Sequence, residues 1–222
     1  MKLVVGLGNP GKKYEGTRHN MGFEVLFELT RRHAAPKPKE KFEARICEVL
    51  IAGERVLLAA PQTYMNSSGR SVRQIVDFLS LSLDELLVVC DDINLPLGRL
   101  RLRGSGSAGG QKGLENIIQQ LGTPDFARLR LGVSLPPPEV DAADYVLSRF
   151  HKSELPAANS AILAAADAVE AWVSVGLQAA MNRFNSGPEP SSPGESDDSK
   201  SGSRPAKRGT PGHGCKNSAE PS

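Results

Sequence analysis

The sequence predicts an α/β fold: a single-domain, three-layer α/β/α arrangement around a central mixed, mostly parallel sheet. Three short runs, Leu3 to Val5, Val56 to Ala60 and Leu86 to Cys90, are continuously apolar and bounded by Gly, Pro or charged residues, as strands buried on both faces are. Helical patterns lie between and after them. Val72, Ile75, Val76 and Leu79 follow the i, i+3, i+4, i+7 rule, and Leu114, Ile117, Ile118 and Leu121 repeat it. Strands alternating with helices bury their apolar faces by layering helices on a sheet.

The composition adds a boundary. Of 222 residues, 39% are hydrophobic, and 27 basic side chains oppose 25 acidic ones. Residues 187–222 hold 8 Ser, 6 Pro and 6 Gly, with only Ala206, Cys215 and Ala219 from the hydrophobic set. Such a segment cannot bury a core, and it reads as a disordered Ser/Pro/Gly-rich tail. Residues 1–186 carry every aromatic side chain and suit one compact domain. No apolar run approaches the roughly 20 residues of a membrane span, or a signal-peptide core, so a cytoplasmic protein is expected. Three scattered cysteines, Cys47, Cys90 and Cys215, suit neither a disulfide framework nor a paired zinc site, and they read as structural or inert.

Taken in order, the strand of Leu3 to Val5 leads into a loop, and a first helix starts near Asn20 with Met21, Val25 and Leu29 inward. It ends on Arg31, Arg32 and His33, cations that suit the C-terminal end of the dipole. The two further buried strands and the helices of Val72 and Leu114 come next. Leu97 to Arg103 and Arg128 to Val133 alternate strictly: arginines at 99, 101 and 103, then 128 and 130, oppose leucines, which predicts two half-exposed strands. Between them runs Gly104-Ser-Gly-Ser-Ala-Gly-Gly-Gln-Lys-Gly113, a glycine-rich loop entering a helix. A last long helix is expected from Ser153, as N-cap with Pro156 in the first turn, to Phe184.

Gly6-Leu-Gly-Asn-Pro-Gly11 matches G-x-G-x-x-G, but Gly11 leads into a loop rather than a helix, and the acid at the right distance, Glu28, lies inside a helix. The dinucleotide reading therefore fails on context. The second glycine loop lacks the Gly-Lys-Ser/Thr of a P-loop. Ligands of open α/β sheets collect beyond the carboxyl ends of strands. Asn9, Asn66 and Asp91 come after the three buried strands there, and His19 begins the first helix beside them. A helix-start imidazole is disfavoured as a resident cation and is suited to accept a proton, and a carboxylate such as Asp91 would fix its tautomer. The same residues are also ordinary caps and turn formers. With no Gly-x-Ser-x-Gly elbow, hydrolysis here would use base-activated water rather than a covalent enzyme. The alternating arginines and Lys112 are either solvated faces or a site for several phosphates, and with few aromatics nearby they favour backbone contact with a folded RNA.

These residues resemble the bacterial peptidyl-tRNA hydrolases. The resemblance is carried by VGLGNPG at 5–11, YEGTRHNMG at 14–22, PQTYMNSSG at 61–69, DDINLPLG at 91–98, GSAGGQKGL at 106–114 and FARLRLGV at 126–133. It implies an ester hydrolase that frees peptide from tRNA, with tRNA contacted at its acceptor stem and 3′ end, and a monomer working without metal, cofactor or membrane. By resemblance His19 is the base, Asp91 its supporting carboxylate, and Asn9 the side chain that tells a blocked peptidyl ester from a free aminoacyl ester. Asn66 becomes a donor near the peptide backbone or oxyanion; Tyr14 and Tyr64 line the substrate site; Arg101, Arg103, Lys112 and Arg130 meet tRNA phosphates. The chain departs from the family in one place. Many members read Gly-Gly-His-Asn-Gly where this chain has Gln111 and Lys112, so an ammonium stands where they have an asparagine amide. The alternative from another class is a catalytically silent RNA-binding protein of the same fold, which loss of the histidine or carboxylate would mark.

Overall fold

Seven strands form one sheet in the computed structural model, which describes residues 1–186; the tail expected at 187–222 lies outside the described residues. The strands are β1 (Lys2–Gly6), β2 (Lys39–Lys41), β3 (Ala44–Ile51), β4 (Glu54–Pro61), β5 (Leu86–Asp92), β6 (Leu100–Arg103) and β7 (Ala127–Gly132), in the order β2-β3-β4-β1-β5-β7-β6. The central four, β4-β1-β5-β7, pair in parallel, and β2, β3 and β6 flank them antiparallel. The three continuously apolar runs are the three adjacent strands β4, β1 and β5. Burial on both faces is what their lack of alternation encodes.

The described residues form six α-helices, α1 (Met21–Arg32), α2 (Ser68–Leu79), α3 (Lys112–Leu121), α4 (Ala142–Leu147), α5 (Leu155–Val175) and α6 (Leu177–Phe184), of which all but α4 pack on the two faces of the sheet. Val4, Leu58, Leu87 and Val89 turn to one face and pack with Val25 and Leu29 of α1 and Val169 and Trp172 of α5. Their neighbours Leu3, Val5, Leu57 and Val88 turn to the other and meet Val72 and Ile75 of α2 and Leu114 and Ile117 of α3. The period-2 alternation along each strand thus feeds two separate apolar layers. α1 lies unusually close to the sheet because Gly22 sits there: a Cβ would come within 2.3 Å of the Leu7 nitrogen and 2.5 Å of the Val89 oxygen.

Three expectations are corrected. The last helix is two helices, because Gly176 takes φ 84° and breaks the run; α5 begins at Leu155, after Glu154 rather than Ser153. The turn at Gly176 lets the chain come back over the sheet edge, where Asn185 Oδ1 accepts from the Leu102 amide at 2.7 Å and its Nδ2 donates to the Leu102 carbonyl at 2.9 Å. That satisfies edge groups of β6 as another strand would. The arginine strands are not equally exposed: β6 is shorter than expected and shows Arg101 and Arg103 to solvent, whereas in β7 Arg128 is 1% exposed and Arg130 is largely covered. β2, β3 and α4 carry no expectation at all from the sequence, although Cys47, Val49 and Ile51 alternate with exposed Glu48 and Leu50 as a half-buried strand should.

A candidate active site at the carboxyl ends of the central strands

β1, β4 and β5 run parallel, so their carboxyl ends open on one rim of the sheet, and the loops that leave β1 and β4 bring Asn9 and Met65 to Asp91 at the end of β5. A cavity of about 570 Å³ opens there, and Asn9, Tyr14, His19, Tyr64, Asn66, Asp91 and Lys112 all line it. Arg101, Arg103 and Arg130 do not. α4, which the sequence does not foretell, supplies the opposite wall through Ala142, Ala143, Val146 and Leu147.

His19 occupies a single 3-10 turn, Arg18–Asn20, directly before α1, and is 9% exposed. Its Nδ1 lies 2.9 Å from both oxygens of Asp91, the penultimate residue of β5, which is 2% exposed. A carboxylate only accepts, so Nδ1 carries a hydrogen, and in the neutral ring the lone pair is therefore on Nε2. Nε2 has no hydrogen-bond partner among the described residues, and the cavity is where it can find one.

Asn9 is fixed by two exchanges. Its Oδ1 accepts from the Met65 amide at 2.8 Å; Asn20 accepts from the Asn9 amide through Oδ1 at 2.8 Å and donates through Nδ2 to the Asn9 carbonyl at 3.1 Å. The oxygen of the Asn9 side chain is thereby occupied, which leaves its NH2 as the end available to the cavity. Asn20 is a site component that sequence reasoning does not reveal. Its position between His19 and the first apolar residue of α1 marks it only as a cap. Tyr64 is 62% exposed and Asn66 is also exposed, so both lie at the mouth. Lys112 pairs at 3.0 Å with Glu115, but both side chains are more than half exposed, and such a pair holds the ammonium weakly.

Gln111 caps α3: its Oε1 accepts from the Leu114 amide at 2.7 Å, while Nε2 lies 3.3 Å from Asp91 Oδ1 and 3.2 Å from Met65 Sδ. The arginines of β7 hold the glycine-rich loop. Arg130 pairs with Asp92 at 2.9 Å and donates to the Ser107 carbonyl at 2.6 Å. Arg128 donates to the carbonyls of Gly106, Pro124 and Phe126, and burial lowers its pKa from the usual guanidinium value. Gly109 takes φ 61°, in the left-handed region that favours glycine, and a Cβ there would stand 2.6 Å from Arg130 Nη1 and displace the guanidinium. Burial pushes the thiols of Cys90 and Cys47 up, which disfavours either as a nucleophile. Among the described residues no group of three His, Cys, Asp or Glu could hold a metal ion, and no helix is long and apolar enough to cross a membrane.

The arrangement has close relatives. Residues 3–192 match the family model described as peptidyl-tRNA hydrolase. A peptidyl-tRNA hydrolase of Rhodopirellula baltica is 54% identical over 185 residues, covering 83% of this chain and 97% of that protein, and one of Syntrophomonas wolfei is 49% identical over 83% and 100%. The crystal structure of the Acinetobacter baumannii peptidyl-tRNA hydrolase superposes with a TM-score of 0.79 at 33% identity, covering 84% of this chain and 95% of that one.

Proposed function

The chain belongs to the peptidyl-tRNA hydrolase family, and from that premise we propose how its site cleaves the ester joining a peptide to the terminal ribose of tRNA. The observation that carries the proposal is the His19–Asp91 contact, with Nδ1 on the carboxylate and Nε2 left to the cavity.

In this mechanism a water between His19 and the ester gives a proton to Nε2 as its oxygen bonds to the carbonyl carbon. Asp91 stabilises the imidazolium that forms. The carbonyl oxygen becomes an oxyanion, for which the amide of Asn66 is the donor at hand. Collapse breaks the bond to the ribose oxygen, which takes the proton from His19, and free peptide and tRNA leave. Asn9 presents its NH2 to the peptide side of the ester, where an N-blocked residue offers a carbonyl and a free aminoacyl ester offers an ammonium. Only the first can accept that hydrogen bond. Tyr14 and Tyr64 supply flat apolar contact for the peptidyl and terminal nucleotide portions.

tRNA would be met by Arg101 and Arg103 on β6 and by Lys112 at the mouth. Arg130 enters differently from the sequence expectation: engaged with Asp92 and the Ser107 carbonyl, it supports the loop instead of offering a free charge. Action as a cytoplasmic monomer that recycles tRNA from stalled translation completes the reading. A catalytically silent RNA-binding role is not supported, since His19, Asp91 and Asn9 share one cavity. The test is release of N-blocked amino acid from tRNA by His19→Ala, with a loss of about 10²–10⁴ in turnover expected. Near wild-type turnover by the folded variant would overturn the assignment of the base.

A further inference from the structure

We propose that Gln111 is a positioning residue for the catalytic pair: its amide orients Asp91 and, through Asp91, sets how strongly His19 holds a proton. The inference rests on His19 being the base.

Gln111 is 7% exposed and its amide has one available orientation. The Leu114 amide donates at 2.7 Å to whatever atom stands at the cap, so an oxygen must be there, and Nε2 is turned toward Asp91. Asp91 Oδ1 then receives two donors, His19 Nδ1 at 2.9 Å and Gln111 Nε2 at 3.3 Å, while among the described residues Oδ2 receives only His19. The plane of the carboxylate is thereby held so that both oxygens meet Nδ1. In addition, a hydrogen bond donated to Oδ1 spreads the carboxylate charge, which weakens its hold on an imidazolium. A base must release its proton to the leaving ribose oxygen as well as take one from water, so a carboxylate that gripped the imidazolium harder would hinder turnover near neutral pH.

The other titratable groups around His19 leave this effect attributable. Asp92, Tyr14, Tyr64, Lys112 and Asp141 share the cavity with His19 and Asp91. Asp92 is paired with Arg130 and Lys112 with Glu115. Arg18, next to His19 in the chain, is turned away to Glu154, and Asp144 on α4 donates its backbone amide to the Asp141 cap. None of these contacts involves the Gln111 side chain.

The experiment measures kcat and KM against pH for the full chain with N-blocked aminoacyl-tRNA, in wild type, Gln111→Glu and Gln111→Met. Gln111→Glu keeps an oxygen for the Leu114 amide and replaces the donor facing Asp91 with an acceptor. Its acid limb in kcat is expected to move up by about half a pH unit or more, which is about a threefold loss on that limb, with the high-pH plateau restored and KM within about threefold. Gln111→Met removes the donor without adding charge and shifts the limb in the same direction by less. If both variants lower thermal stability while the limb stays in place, Gln111 is a helix cap and nothing more, and the proposal falls. Should Gln111→Glu not fold, Gln111→Met decides between the same two outcomes. His19→Ala, run alongside, separates the failures: an active His19→Ala removes the base assignment itself, whereas an inactive one with unmoved Gln111 limbs removes only this proposal.

Discussion

Glu154→Ala tests how the wall of the site is fastened to the turn that carries His19. Arg18 is 1% exposed, and its guanidinium meets Glu154 Oε2 at 2.6 Å, Ser148 Oγ at 2.9 Å and the Arg149 carbonyl at 2.6 Å, with the rings of Tyr145 and Phe150 over it. Glu154 is its only carboxylate partner among the described residues. Truncating one partner of a buried pair costs about 3–5 kcal/mol because the other charge stays buried. Glu154 is 23% exposed, so water can enter the vacated space, and the lower end, about 3 kcal/mol, is the figure to use here. At roughly 2–4 °C per kcal/mol for a domain of this length, the melting temperature should fall by about 6–12 °C. Thermal melts and urea midpoints read this directly. The paired change Arg18→Met with Glu154→Leu removes both charges and should recover most of the loss, since apolar replacements of a buried pair are near neutral. A Glu154→Ala protein melting within about 2 °C of wild type would refute the reasoning, as would a paired variant no more stable than Glu154→Ala.

Gly22→Ala should push α1 off the sheet, since the new methyl would overlap the Leu7 nitrogen and Val89 oxygen; about 1–3 kcal/mol of stability and a loss of up to about 10² in kcat are expected, read by melting and turnover. Arg101→Ala with Arg103→Ala should raise KM for the tRNA substrate and reduce the salt slope of binding by up to about one counterion per lost contact, measured by titration between low and moderate salt. Glu28, hydrogen-bonded by Arg31 and Arg32, has its pKa lowered from 4.5 to about 2. A depressed carboxylate contributes stability above its unfolded value and loses it as pH falls through the folded one. The gap in melting temperature between wild type and Glu28→Gln should therefore be full at neutral pH and close between about pH 4.5 and 2.

Legible in the sequence is whatever a single segment determines by itself. The runs of β4, β1 and β5 are apolar throughout because both faces are covered, and that needs no knowledge of partners. The same holds for α2 and α3, whose apolar stripes face one layer. β3 escapes a sequence reading although Cys47, Val49 and Ile51 keep strict alternation, because exposed Leu50 breaks the polar side of the pattern. The break after α5 escapes it for another reason. Gly176 stands in an otherwise continuous helical pattern, and it is tertiary contacts, the packing of Ala180 and Met181 on the core and the pairing of Asn185 with Leu102 across the sheet edge, that hold the chain after the turn. In the site, His19, Asn9 and Asp91 can be found because each lies at the edge of an element. Asn20 and Gln111 act through a neighbour's atoms, and no local pattern separates such a residue from a simple cap.

The arginine strands show where a correct period still gives a wrong environment. Arg101 pairs in register with Arg130, and Arg103 with Arg128, so four guanidinium groups share one face of two antiparallel strands. Like charges directly opposite each other destabilise a sheet, so the fold must answer them. It does so unequally. β7 is interior to the sheet, and the glycine-rich loop folds over its polar face, where carbonyls and Asp92 take up Arg128 and Arg130. β6 is the edge strand, and Arg101 and Arg103 are left to solvent. The inner pair therefore shapes the loop that ends at Gln111, while the outer pair keeps its charge turned to solvent. A net charge of +2 conceals this division, because the field outside the edge of β6 is set by the charges gathered there and not by the sum over the chain.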